Sequence, residues 1–136
     1  MKVITGRITS PFGDRTHPVA RLKTFHNGVD VSAPIGTPIY SPIDGYVMES
    51  YTHASGGETI IIGDGLFLRF GFAHLNKKLV KKGDIIAKGQ QIAECGNTGV
   101  STGAHLHFTA KTGGKWTNGQ YVGGDFVNPE SYLTIQ

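Results

Sequence analysis

A chain of 136 residues falls within the range of one compact domain and can bury an ordinary core without staples. Its single cysteine, Cys95, excludes an intrachain disulfide framework, and no stretch approaches the roughly 18 apolar residues of a membrane span. The net charge of +3 favours polyanionic partners, but no Lys/Arg block interleaved with aromatics is present, so nucleic acid is not an expected partner.

Glycine is about twice as common as in an average chain, with 20 residues, which implies many tight turns. Helical periodicity is missing, whereas short β-rich runs recur between Gly and Pro turns, so the expected class is mainly β. The N-terminal MKVITGRITSPFG carries no apolar run of secretory length. In the segment Phe25-His26-Asn27-Gly28-Val29-Asp30-Val31, an extended backbone places His26, Gly28 and Asp30 on one face, opposite Val29 and Val31. Gly28 would then leave a gap between imidazole and carboxylate in which an ion could sit.

Strands are expected at 37–40, 45–50, 59–62, 66–73, 85–87, 91–94 and 105–111. The segments Gly36-Thr37-Pro38-Ile39 and Gly83-Asp84-Ile85-Ile86 echo one another, as in folds built from a duplicated β motif. The polar stretches 51–57 and 113–124 read as loops, the second carrying Trp116, and loops of this kind often wall a binding site. His74 stands where the run Leu66, Leu68, Phe70, Phe72 gives way to the turn Asn76-Lys77-Lys78. Cys95 reads as a buried structural thiol, and residues 128–133 as a closing helical turn.

Along residues 105–111 the alternation sets His105, His107, Thr109 and Lys111 against Leu106, Phe108 and Ala110. If the apolar set packs inward, both imidazoles project from the outer face, with roots roughly 7 Å apart, and can serve one site. Taken singly, each feature has an ordinary structural explanation: a solvated strand face for His105 and His107, a turn cap for Asp30, a strand-end histidine for His74. His17 and His53 have no such companions and read as surface or loop residues. Imidazoles with one carboxylate suit a catalytic zinc, because structural zinc takes four protein ligands, typically with more cysteine than this chain has.

The ordered set His26-x-x-x-Asp30, His74-Leu75 and His105-Leu106-His107 resembles the signature of lysostaphin-type (LytM-type) zinc endopeptidases, which cleave peptide bonds in peptidoglycan. The similarity extends through SPFGDRTHP, HNGVDVSAPIGTPIYSPIDGYV, VKKGDIIAKGQQIAECGNTGVSTGAHLHF and NPESYL. It implies a single peptidase domain over 1–136, with a compact antiparallel β sheet or sandwich of duplicated motifs and a loop-walled groove for an extended peptide. It also implies one Zn2+ per chain on His26, Asp30 and His107, with His105 and His74 as the catalytic pair handling water and oxyanion. Departures are small: Phe72 stands where tyrosine is frequent, and Ala104 where proline is common.

The implied partners are stem peptides or cross-bridges of peptidoglycan, at the bacterial cell wall and without membrane insertion; either a glycine bridge or a D-alanine to diamino-acid link fits. A phage-associated or excised module is the expected setting, and the oligomeric state stays open. Two other readings compete. A non-catalytic LytM-type wall-binding activator would lack a metal ligand. A histidine phosphocarrier of related fold would need neither Asp30 nor the His-x-His pair.

Overall fold

The computed structural model describes residues 1–16, 23–101 and 103–136, so the expectation for His17 lies outside the described residues. In chain order these residues form β1 (Arg7–Ser10), β2 (Gly13–Thr16), β3 (Lys23–His26), β4 (Gly28–Ser32), β5 (Pro38–Tyr40), β6 (Gly45–His53) and β7 (Gly57–Gly63). There follow β8 (Leu68–Lys78), β9 (Ile85–Ile86), β10 (Gln91–Cys95), β11 (His105–Thr112), β12 (Lys115–Thr117), β13 (Gln120–Val122) and β14 (Asp125–Val127). A 3-10 turn at Glu130–Leu133 closes the chain.

The main sheet is antiparallel, in the order β1-β4-β11-β8-β7-β6-β9, with β14 beside β11 and β10 joining β8 to β5. β11 is therefore a central strand, flanked by β4 and β8. Its alternation is realised: Leu106, Phe108 and Ala110 are fully buried, whereas His105, His107, Thr109 and Lys111 are half-buried on the other face. Val29 and Val31 of β4 and Phe70 and Phe72 of β8 join the buried set. Phe108 stacks on Phe70 at 5.7 Å and meets Phe72 at 5.2 Å, and Tyr132 from the closing turn packs edge-on against Phe70. Full burial of each such ring is worth about 1.5–3 kcal/mol, so β11 is anchored from its inner face while its outer face stays free for chemistry.

The echoed segments behave as an interlocked pair. β5 and β9 occupy equivalent places, but each pairs with the strand that follows the other motif: β5 with β10, and β9 with β6. Ile39 and Ile86, at matching positions, both enter the core.

Three expectations need correction. Residues 51–57 are not one loop: β6 continues to His53 and pairs Tyr51 with Thr59 and His53 with Gly57. This end of the ribbon is exposed on both faces, so it lacks the apolar alternation by which a strand is read, although Tyr and Thr favour the conformation. Residues 113–124 hold the β12–β13 hairpin, turned at Asn118-Gly119, both with positive φ. That dipeptide is the sequence signal for such a turn.

The third concerns β8, which does not end at His74 but runs through it to Lys78. Phe72 and Leu75 are both fully buried although they stand three residues apart, which strict alternation forbids. His74 resolves the conflict with a φ of 63°, a left-handed kink that changes the parity of the strand. The register shift of β8 against β7 spans the same place, between Phe72 and Leu75, and that against β10 follows it, between Leu75 and Lys77.

Candidate metal and catalytic site

Strand pairing brings the sequence candidates together. His107 on β11 lies directly opposite Asp30 on β4, and His26 at the end of β3 precedes Asp30 by four residues of extended chain. One possible ligand atom from each of His26, Asp30 and His107 lies within 4.8 Å of the other two. His107 Nδ1 is 2.8 Å and His26 Nε2 3.5 Å from Asp30 Oδ1.

The remaining ring nitrogens are engaged behind the site. His26 Nδ1 stands 2.8 Å from the carbonyl oxygen of Pro11, which can only accept, so this nitrogen carries the proton and donates. His107 Nε2 is 2.9 Å from Asn27 Oδ1, a hydrogen bond in which the ring N–H donates to the amide oxygen. The lone pairs of His26 Nε2 and His107 Nδ1 are thus left converging on a carboxylate. Three acceptors facing one another need a cation between them: a proton on His107 Nδ1, hydrogen-bonded to Asp30 Oδ1, or a metal ion; two imidazoles with one carboxylate are a donor set suited to zinc with a coordination position open. Burial works to raise the Asp30 pKa, but the hydrogen bond with His107 and the neighbouring imidazoles outweigh it, so the group stays ionised below the usual carboxylate range.

His74 and His105 form a second pair beside this one, with ring centroids 4.6 Å apart; His74 lies 6.4 Å from the His107 ring. His74 Nδ1 donates to the carbonyl of Thr98 at 2.6 Å, and His105 Nδ1 to that of Gly103 at 2.8 Å with Ser101 Oγ at 3.2 Å. Both Nε2 atoms are thereby left as the basic nitrogens, and that of His105 lies 3.9 Å from Asp30 Oδ1. Burial holds the His74 pKa below the ordinary histidine value, so the ring is neutral near pH 7, with Nε2 unprotonated. Such a pair can accept a proton or, once protonated, donate one to a developing negative charge.

Gly28 does not provide room for an ion. A Cβ there would lie 2.3 Å from the carbonyl oxygen of Phe108 and 2.9 Å from the methyl of Thr109, so the glycine lets β11 come close to β4. Asn27, Thr98, Ser101 and the Pro11 carbonyl are contributors that sequence reasoning missed. Only Asn27 had a local signal, since it sits between His26 and Asp30.

The site opens onto a groove of about 950 Å3 that runs along the outer face of β11, β8 and β7 and shares His107, Ala73, Ser55 and Gly56 with it. Trp116 and Tyr121, edge to face at 5.4 Å, line it from the β12–β13 hairpin.

The sequence profile of peptidase family M23 matches residues 24–122, a span holding all five residues. The chain belongs to peptidase family M23. This M23 chain is 42% identical over 113 residues to the peptidoglycan DD-endopeptidase ShyA of Vibrio cholerae, covering 82% of its own length and 26% of that protein. It superposes with a TM-score of 0.76 on a zinc-containing peptidase of Vibrio cholerae, at 41% identity, covering 82% of this chain and 35% of the other. The catalytic domain of the antimicrobial peptidase lysostaphin from Staphylococcus simulans gives the same TM-score at 30% identity, covering 94% of this chain and 92% of that domain. The M23 chain spans about a quarter of the length of relatives such as ShyA.

Proposed function

We propose that this M23 chain is a zinc-dependent endopeptidase that hydrolyses peptide cross-links of bacterial peptidoglycan at the cell wall, its residues 1–136 forming one catalytic domain. The observation that carries the reading is the convergence of His26 Nε2, Asp30 and His107 Nδ1 with their outer nitrogens already donating to Pro11 and Asn27. The similarity to the peptidoglycan DD-endopeptidase ShyA supports a wall peptide as substrate, and the near end-to-end match to the lysostaphin catalytic domain supports the single domain.

In this reading His26, Asp30 and His107 hold one zinc ion per chain. Bound there, zinc supplies Lewis acidity to the scissile carbonyl and acidifies water. The residues do the rest. His105 presents Nε2 to the attacking water and takes its proton, its ring fixed by Gly103 and Ser101. His74, fixed by Thr98, presents Nε2 beside it and donates to the oxyanion only once that nitrogen has taken up a proton. The groove receives the peptide extended against the outer face of β11.

The test is to incubate the zinc-loaded chain with purified walls and identify released fragments by mass. New peptide termini at cross-links are expected. Release of glycan fragments alone, or none with full zinc occupancy, would overturn the reading.

A further inference from the structure

Beyond the site, the groove carries an unusual juxtaposition. Lys111 lies two turns of the alternation beyond His107 on the same face of β11, and β8 places Arg69 directly opposite it. Both line the groove that His107 also lines. Like charges directly opposite on neighbouring strands destabilise a sheet, and a facing acid is the usual remedy. No acid pairs with either residue among the described residues: Glu58 is taken by Lys78 and Glu49 by Lys82, while Asp30 faces the histidines.

The two cations are held differently. Arg69 is fixed, with Nη2 donating to the carbonyls of Gly113 and Gly123 and the guanidinium lying 4.5 Å from the centre of the Tyr121 ring. Its Nε–H is the one buried side-chain polar atom without a partner among the described residues. Among the described residues Lys111 is held only by its approach to the Phe126 ring, 4.9 Å from the centroid, and its ammonium keeps all three donors for another group. A cation fixed on backbone carbonyls and one with its donors unengaged, side by side in a groove and without a paired acid among the described residues, make a site for an anion.

We propose that Lys111, backed by the field of Arg69, reads a carboxylate on the bound peptide, so that this chain selects acidic cross-linked stem peptides over uncharged glycine bridges; this rests on the peptidase reading above. The register sets the distance. Four residues of strand separate the roots of Lys111 and His107 by about 13 Å, so the carboxylate belongs three to four extended residues from the scissile bond. A glycine bridge has no group to offset the two charges, whereas a carboxylate relieves their repulsion as it binds.

The test uses two synthetic cross-linked peptides, identical except that one carries a free carboxylate at that distance and the other its primary amide. Binding is read from the fluorescence of Trp116, the only tryptophan of the chain and part of the groove wall, and turnover with the zinc-loaded protein gives kcat and KM separately. The acidic peptide is expected to bind about tenfold more tightly, an advantage that weakens with salt. Lys111→Gln is expected to erase the preference through KM with kcat kept, and Lys111→Glu to favour the amide. Equal affinity of the wild type for both peptides, or an unchanged preference in Lys111→Gln, overturns the proposal. Preferential binding of the acidic peptide without cleavage of either keeps the subsite and removes the peptidase reading instead.

Discussion

His107 Nδ1 lies 2.8 Å from Oδ1 of Asp30, while its other nitrogen donates to Asn27, so two acceptors face each other across a gap that only a proton or a metal ion can bridge. Removing either partner leaves the other converging on nothing. His107→Ala is expected to lower zinc occupancy from about one per chain to near zero and to abolish activity. His105→Ala is expected to keep the metal and lose about 10²- to 10⁴-fold in kcat, the usual worth of a positioned acid or base. Metal analysis alongside turnover checks the division, which equal zinc content in the two variants would sink.

Asn27 touches no candidate ligand atom, yet it fixes which nitrogen of His107 holds the proton. Partners of this kind are worth about 10- to 100-fold in metal affinity. Asn27→Ala is therefore expected to weaken zinc by that factor in a chelator competition, with little change in the stability of the metal-free protein. An unchanged affinity would show that the tautomer is set some other way.

Strand parity made legible which candidates share a face, His105 with His107 across Leu106 and His26 with Asp30 opposite Val29 and Val31, whereas their joining into one site came from the family resemblance. What depended on register between distant strands was not legible. Nothing in the local pattern says that Arg69 faces Lys111, that the carbonyl of Thr98 receives a proton from His74, or that Gly28 yields to the Phe108 carbonyl. The kink at His74 is a further case, because a left-handed residue breaks the period on which the reading relies.

That kink separates fold from function at one position. Asn tolerates a left-handed backbone but cannot replace an imidazole, whereas a β-branched residue tolerates neither role. His74→Asn is expected to stay folded within about 1 kcal/mol of the wild type and lose most activity, and His74→Val to lose activity and a further 1–2 kcal/mol or more. Urea titration of the metal-free forms distinguishes them. Equal stability of the two would mean that the φ of 63° stores no strain.

A pH effect is expected away from the candidate metal site, at Asp64. Its Oδ1 accepts the backbone N–H groups of Leu66 and Phe67 at 2.8 Å and of Leu68 at 3.1 Å, closing the β7–β8 turn. Burial works to raise its pKa, but these three donors together hold it below the ordinary value of 3.8. The unfolded chain therefore binds more protons in the window just below 3.8, so the contribution is present above that pH and is lost as pH falls through the folded-state value. Asp64→Ala is expected to cost about 1–3 kcal/mol at pH 7, and less once Asp64 is protonated in both states. A cost that stays constant into acid would contradict the charged hydrogen bonds.

Gly28 and Gly71 flank Thr109 on either side of β11, and the atoms they approach predict different tolerances. A Cβ at Gly28 would meet the Phe108 carbonyl oxygen at 2.3 Å, a backbone atom held in the central strand pairing. A Cβ at Gly71 would meet Thr109 Oγ1 at 2.4 Å, the end of a side chain that can rotate towards the groove. Gly28→Ala is thus expected to cost about 3 kcal/mol or more by prising β4 from β11, and with that shift to move Asp30 away from His107 and weaken zinc. Gly71→Ala is expected to cost about 1 kcal/mol and to leave the metal in place. Denaturation and zinc titration on the two variants check the ordering: if Gly28→Ala binds zinc as the wild type does, the spacing of these strands does not set the geometry of the site.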